Sequence, residues 1–162
     1  MKNIMRLTRN AIAVSIAIFM LSTSLLAQES QTDANEKAEA EMKAAFGTVP
    51  VMMKVYPDHL RAGAWEWFKA TLSPDAAIPA KYSELISLGV ASQIPCDYCV
   101  YAHTTMARML GATDAEIQGA VAGAANTRHW STVLNGADVS LDEFKKEWDG
   151  ILAHIKKQNE AK

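Results

Sequence analysis

Residues that start and stop helices constrain this chain more than any other feature of its sequence. Three amphipathic segments are each preceded by a proline that suits a first helical turn: Pro57, Pro79 and Pro95. Two capping-box patterns, Thr113–Glu116 and Ser140–Glu143, mark the starts of two further segments, and Gly111 suits a C-terminal cap. No alternating apolar and polar run bounded by turn residues indicates a strand. The sequence therefore predicts an all-α fold of about six helices.

The first 27 residues have the layout of a secretory signal peptide. Lys2, Arg6 and Arg9 form a cationic start, an apolar run from 11 to 26 follows, and Ala27 is a small residue at the cleavage position. The run is about 16 residues long, short of the ~20 that span a bilayer. We expect cleavage after Ala27, a secreted or periplasmic product and no stable membrane association afterwards. An uncleaved anchor and a cytosolic product are the alternatives.

Composition indicates one globular helical domain over residues 28–162. The chain has 162 residues, of which 49% are hydrophobic and 21% charged, and these fractions argue against disorder. Its net charge is −2 and no basic cluster follows the first ten residues, so nucleic acid is not an expected partner. The 2 cysteines are too few for a disulfide framework, and their spacing therefore matters more than their number.

The two cysteines form a Cys-x-x-Cys motif, and a histidine follows four positions later. If Pro95 begins a helix, Cys96 and Cys99 lie in its first turn, where free N–H groups and the helix dipole favour a thiolate. Cys99 and His103 are i and i+4, so the sulfur and the imidazole share one face. This is the arrangement of a nucleophile beside a base, and it predicts thiol redox chemistry.

A third group, Glu84, is placed by counting along the preceding helix. If the helices on either side of Pro95 fold back antiparallel, Glu84 and His103 differ in height by roughly half a turn at ~1.5 Å per residue. Glu84 is then better placed to orient the imidazole than to contact Cys99. Carboxylate, imidazole and thiol in series would form a proton relay.

Other interpretations of these residues stay open at this point. Glu84 suits an ordinary solvated helix position, and the cysteines suit a purely structural disulfide. Cys96, Cys99 and His103 would also supply three ligands to a catalytic zinc with an open position. A fourth ligand is not evident, since the other histidines lack metal-ligand spacing: His59, His129 and His154. The prediction therefore names no metal and no cofactor.

The motif resembles the AhpD-like branch of the carboxymuconolactone decarboxylase superfamily. The resemblance rests on Glu84, Cys96 twelve positions later, Cys99 and His103. It extends over about residues 45–135, including the segment 47–50 before the first proline-led helix and the helix start at 111–117. The family's known members imply an all-α fold and a homo-oligomer, either a trimer or a hexamer.

The resemblance also implies roles for the site residues. Cys99 would be the peroxidatic thiol, Cys96 would resolve it as a disulfide, and Glu84 with His103 would relay the proton. The implied activity is a thiol-dependent peroxidase or disulfide oxidoreductase that acts on a small hydroperoxide or disulfide and draws electrons from a thiol donor. The alternative is a non-redox lyase or ligand-binding member of the same family with a structural disulfide.

Two features depart from the family's pattern. Tyr98 stands where the well-studied peroxidases have a histidine, and a phenol is a weak base near neutral pH, so the relay would be shortened. The expected export also separates this chain from the intracellular lipoamide-bearing proteins that serve the family's peroxidase. Two residues are predicted to contact substrate: Tyr98 and His129. A subunit contact is the alternative for His129, which lies in an aromatic and polar patch at 126–130.

Overall fold

A computed structural model describes residues 30–161 of the chain, and within that range it is helical with no strand. The all-α prediction is confirmed. The seven helices are α1 (residues 30–46), α2 (Val51–Lys54), α3 (Asp58–Thr71), α4 (Ala80–Gln93), α5 (Asp97–Met109), α6 (Asp114–Gly136) and α7 (Leu141–Glu160). The predicted signal peptide lies outside the described residues. No described helix is both long and apolar enough to cross a membrane.

The chain divides after Ser73 into two compact units. In the first unit, α1, α2 and α3 enclose a small core of buried side chains: Ala38, Met42, Val49, Met53 and Trp65. The Trp65 ring stacks on Phe68, and its Nε1–H donates to Glu41 at 2.8 Å. Lys69 also donates to Glu41, and these two hydrogen bonds, the one from Lys69 first, hold the pKa of the Glu41 carboxyl below its usual value.

In the second unit, α4 packs against both α5 and α6. Its core consists of Leu88, Ala107, Ala112 and Ile117. α4 and α6 lie close together at Gly89, where an added Cβ would lie 3.6 Å from the Cβ of Ala124. An ion pair also joins the two helices, because Lys81 Nζ donates to Glu116 Oε1 at 2.7 Å. α4 is therefore the central helix of this unit, packed against both α5 and α6.

The turn between α5 and α6 forms as the sequence predicts. Gly111 has φ +84° and belongs to a Schellman motif, in which the Ala112 N–H donates to the Ala107 carbonyl at 2.9 Å. The Thr113 capping box is complete: the Thr113 N–H donates to Glu116 Oε2 at 2.8 Å and the Glu116 N–H donates to Thr113 Oγ1 at 3.1 Å. This turn aligns the start of α6 with α4.

The predicted capping box at Ser140 is wrong. Ser140 precedes α7, but its side chain makes no capping hydrogen bond. The start of α7 is exposed, so water can satisfy the free N–H groups that the hydroxyl would otherwise bind. No residue of α7 is buried.

Candidate active site

The disulfide caps the N-terminus of α5. Cys96 is the N-cap residue, with an extended backbone, and α5 begins at Asp97 rather than at Cys96. Cys96 and Cys99 are joined by a disulfide, and the Cys99 N–H donates to Cys96 Sγ at 3.3 Å. Both cysteines are partly exposed. The Cys96 sulfur therefore lies at the positive end of the helix dipole, within reach of thiols in solution.

Glu84 and His103 form the polar contact between α4 and α5. Glu84 Oε2 lies 2.7 Å from His103 Nδ1, as counting along the two helices predicted. Glu84 is 6% exposed, so it is not an ordinary solvated helix residue. A buried carboxylate needs a partner to offset the loss of its hydration, and the imidazole is that partner.

This contact determines which nitrogen of His103 can exchange a proton. Because Nδ1 faces the carboxylate, Nδ1 carries the proton that Glu84 accepts, and Nε2 is the nitrogen left for chemistry. Cys99 precedes His103 by one helical turn on α5, so its sulfur lies on the same side of the helix. The structure thus places the carboxylate and the imidazole in contact, with Cys99 one helical turn away along α5.

Exposed aromatic side chains border the disulfide. Tyr98 is 90% exposed and Tyr101 is 75% exposed, and both lie on α5 beside the cysteines. Ile94, two residues before Cys96, is also exposed. Sequence reasoning singled out Tyr98 but missed Tyr101 and Ile94. The i, i+3 spacing of Tyr98 and Tyr101 is the signal that would have shown a shared helix face.

His129 is not brought into this arrangement. It is exposed on α6, its ring packs edge-on against Trp130 with centroids 5.1 Å apart, and among the described residues it forms no hydrogen bond with Glu84 or His103.

Residues 30–161 contain no group of three His, Cys, Asp or Glu side chains arranged to hold a metal ion. In the oxidised state the two sulfur atoms are bonded to each other, and His103 is paired with Glu84.

The comparison with protein families decides the chain's membership. The sequence profile of the carboxymuconolactone decarboxylase family matches residues 59–141, about half of the chain, and this range includes Glu84, both cysteines and His103. The chain belongs to the carboxymuconolactone decarboxylase family. The resemblance inferred from the motif is therefore confirmed.

Comparison with a solved structure shows that the chain has the AhpD-like fold. The alkylhydroperoxidase AhpD core from Rhodospirillum rubrum superposes with a TM-score of 0.60 at 22% sequence identity. The alignment covers 72% of this chain and 89% of that protein. Among curated proteins, no match was found. At this identity the likeness establishes the fold, and the activity has to be argued from the site.

Proposed function

We propose that the protein is a thiol-dependent peroxidase or disulfide oxidoreductase that cycles Cys96 and Cys99 between dithiol and disulfide. The observation that carries this proposal is the 2.7 Å contact between the buried Glu84 carboxylate and His103, one turn from a partly exposed Cys-x-x-Cys disulfide. A structural disulfide needs neither a buried carboxylate nor an imidazole beside it. A redox-active thiol uses both to form its thiolate.

In the reduced protein, the Cys99 thiol would transfer its proton to His103 Nε2. The thiolate attacks the terminal oxygen of a hydroperoxide, the O–O bond breaks, and the alkoxide takes the proton from His103 and leaves as an alcohol. Cys99 is then a sulfenic acid. The Cys96 thiol attacks the Cys99 sulfur, and its proton leaves with the hydroxyl group as water. Two electrons have passed from the two thiols to the peroxide, and two thiols of a donor restore them.

Glu84 acts in this scheme as a positioning residue. Its carboxylate accepts the Nδ1–H hydrogen bond, fixes the imidazole ring and stabilises the imidazolium that forms when Nε2 takes the proton. Tyr98 and Tyr101 are exposed beside the disulfide, which supports a role for Tyr98 in contacting the substrate or the donor. His129 would contribute to substrate binding only if another part of the assembly brings it to the site.

We also propose how the protein assembles and in which compartment it works. The protein would work as a homo-oligomer, a trimer or a hexamer, outside the cytoplasm after removal of residues 1–27. Its electron donor would be a thiol available in that compartment, and an oxidising environment would return the pair to the disulfide.

Mass spectrometry of the two matched serine variants tests the division of labour. After reduction and one equivalent of peroxide, Cys96→Ser should carry one added oxygen at Cys99, because no second thiol can resolve the sulfenic acid. Cys99→Ser should remain unmodified at Cys96. Two results would refute the assignment of Cys99 as the peroxidatic thiol and Cys96 as the resolving thiol. One is no oxidation at Cys99 in Cys96→Ser, and the other is equally fast oxidation of Cys96 in Cys99→Ser.

A structural disulfide in a non-redox member of the family is the second candidate. The hydrogen bond from the Cys99 N–H to Cys96 Sγ favours it, since the bonded sulfur satisfies a free N–H group of α5. Alkylation separates the two candidates. A redox-active pair, once reduced by a mild thiol, should alkylate rapidly below pH 7. A structural disulfide should yield no reactive thiol until the protein is denatured.

A further inference from the structure

The apolar stripe of α7 is left largely uncovered by residues 30–161. It consists of five large side chains at helical spacing: Phe144, Trp148, Ile151, Leu152 and Ile155. Trp148 is 50% exposed, and no residue of α7 is buried. A helix of this kind gains its stability mainly by burying one face, so the stripe requires a surface to cover it.

A groove between α4 and α6 offers such a surface. It has a volume of about 760 Å³, and its walls are largely apolar. Tyr82, Ile86 and Val90 line the α4 side and are about half-exposed. Ala120 and Ala124 line the α6 side, and their small side chains leave room for a third helix.

The stripe and the groove match in length. The groove runs from Tyr82 to Gln93 along α4, and the stripe runs from Phe144 to Ile155 along α7. Both intervals comprise eleven residue steps, which is roughly 16 Å of helix. One α7 would therefore fill one groove from end to end.

α7 makes no extended contact with α4 or α6 of its own chain, and a hydrogen-bonded turn separates it from α6. Asp138 has φ +52°, and the Val139 N–H donates to the Leu134 carbonyl at 3.1 Å. The Asp138 N–H donates to the Asn135 carbonyl at 3.2 Å, which completes a Schellman motif at the end of α6. The direction of α7 is thus set by a defined turn, and with this turn its stripe stays exposed.

The charges of α7 suit the groove, and because α7 of the same chain makes no extended contact with α4 or α6, the occupant they favour is α7 of a second copy. Arg128 is the charged residue in the groove lining, where its Nε donates to Gln93 Oε1 at 2.9 Å. The first half of α7 (141–150) carries four acidic residues against two lysines, and Glu147 flanks the stripe beside Trp148.

We propose that α7 of one copy docks in the α4–α6 groove of a second copy. The contact joins two different surfaces, so it closes either as a reciprocal pair or as a ring. This inference does not depend on the redox chemistry. It assigns the surfaces through which the chain assembles.

Charge substitutions in the stripe and in the groove test the contact. The full-length mature protein should be oligomeric in light scattering, and both Trp148→Lys and Ile86→Lys should convert it to monomer at micromolar concentration. Ala153→Lys is the matched control, because residue 153 lies roughly 140° around α7 from Trp148. It should leave the mass unchanged. Circular dichroism shows whether each variant retains its helices.

Mixing the two monomeric variants separates exchange between chains from docking within one chain. Trp148→Lys keeps an intact groove and Ile86→Lys keeps an intact α7, so the mixture should form a two-chain complex that neither variant forms alone. Any one of three results would overturn the proposal: a monomeric wild-type protein, an unchanged mass for Trp148→Lys, or a mixture of the two variants that stays monomeric. Peroxide reduction by the same samples is a separate readout, so a failed redox function would not affect these outcomes.

Discussion

Two polar pairs extend from the first half of α4, and they differ in surroundings rather than in length. Lys81 reaches Glu116 on α6, and Glu84 reaches His103 on α5, each at 2.7 Å. The side chains of the first pair are 25% and 35% exposed, whereas the Glu84 side chain is only 8% exposed. A hydrogen bond from Lys81, followed by one from the Thr113 N–H, lowers the pKa of Glu116 to about 2.

Under the proposed function, the comparison separates a structural pair from a reactive one. Glu116 remains ionised at neutral pH, so the Lys81–Glu116 pair joins two helices and exchanges no proton. In the other pair the partner is an imidazole, whose Nδ1 contacts Glu84 and whose Nε2 is left to exchange a proton. Only this pair lies one turn from a sulfur atom. We therefore propose different roles for two contacts of equal length, because their partners and positions differ.

Glu84→Gln should produce a large kinetic effect while the imidazole stays in place. The amide can still accept a hydrogen bond from His103, but it no longer stabilises the imidazolium, so thiolate formation should slow by ~10²-fold. Stopped-flow measurement of peroxide consumption by the reduced protein provides the rate. Glu116→Gln is the matched control and should keep the wild-type rate. Equal losses in the two variants would remove the distinction between the pairs.

His103→Ala should destabilise the fold as well as abolish turnover. It leaves the buried Glu84 carboxylate without its partner, and an unsatisfied buried group costs about 1–3 kcal/mol of unfolding free energy. Urea denaturation measures this cost. Combining His103→Ala with Glu84→Leu should recover much of the stability but none of the activity. No recovery in the double variant would show that Glu84 is not the source of the loss.

Thr113→Ala tests how far the N-terminal cap of α6 supports the Lys81–Glu116 pair. It removes the hydroxyl that caps α6, which should lower the unfolding free energy by about 1 kcal/mol. The redox site should be unaffected because it lies on the α4–α5 contact. Thermal unfolding and the peroxide assay, applied to the same sample, check both expectations. A loss of activity at unchanged stability would contradict them.

The smallest effect concerns the pH dependence of stability. The pKa of Glu116 is about 2 in the folded protein, below its usual value of 4.5. Its contribution is therefore fully present above pH 4.5 and is lost as the pH falls toward 2. The difference in thermal midpoint between wild-type and Glu116→Gln protein should be smaller at about pH 3 than at about pH 6. A constant difference would argue against the ion pair.

Local signals in the sequence predicted much of this structure. The cap at Gly111, the capping box at Thr113 and the contact of Glu84 with His103 depend on residues within a turn or across one helical hairpin. The serine at position 140 shows the limit, because a capping pattern does not reveal whether water already satisfies the same N–H groups. The stripe of α7 shows another limit. Its spacing indicates a face to be covered but does not specify which chain covers it.

The reduction potential of the Cys96–Cys99 pair tests the central claim most directly. If the helix N-terminus and His103 stabilise a thiolate, the dithiol form is favoured and the potential should be about −180 mV or higher. Equilibration of the folded protein with glutathione buffers, followed by alkylation and mass spectrometry, measures this value. A potential below about −300 mV would mean that the disulfide is structural, and it would contradict the account.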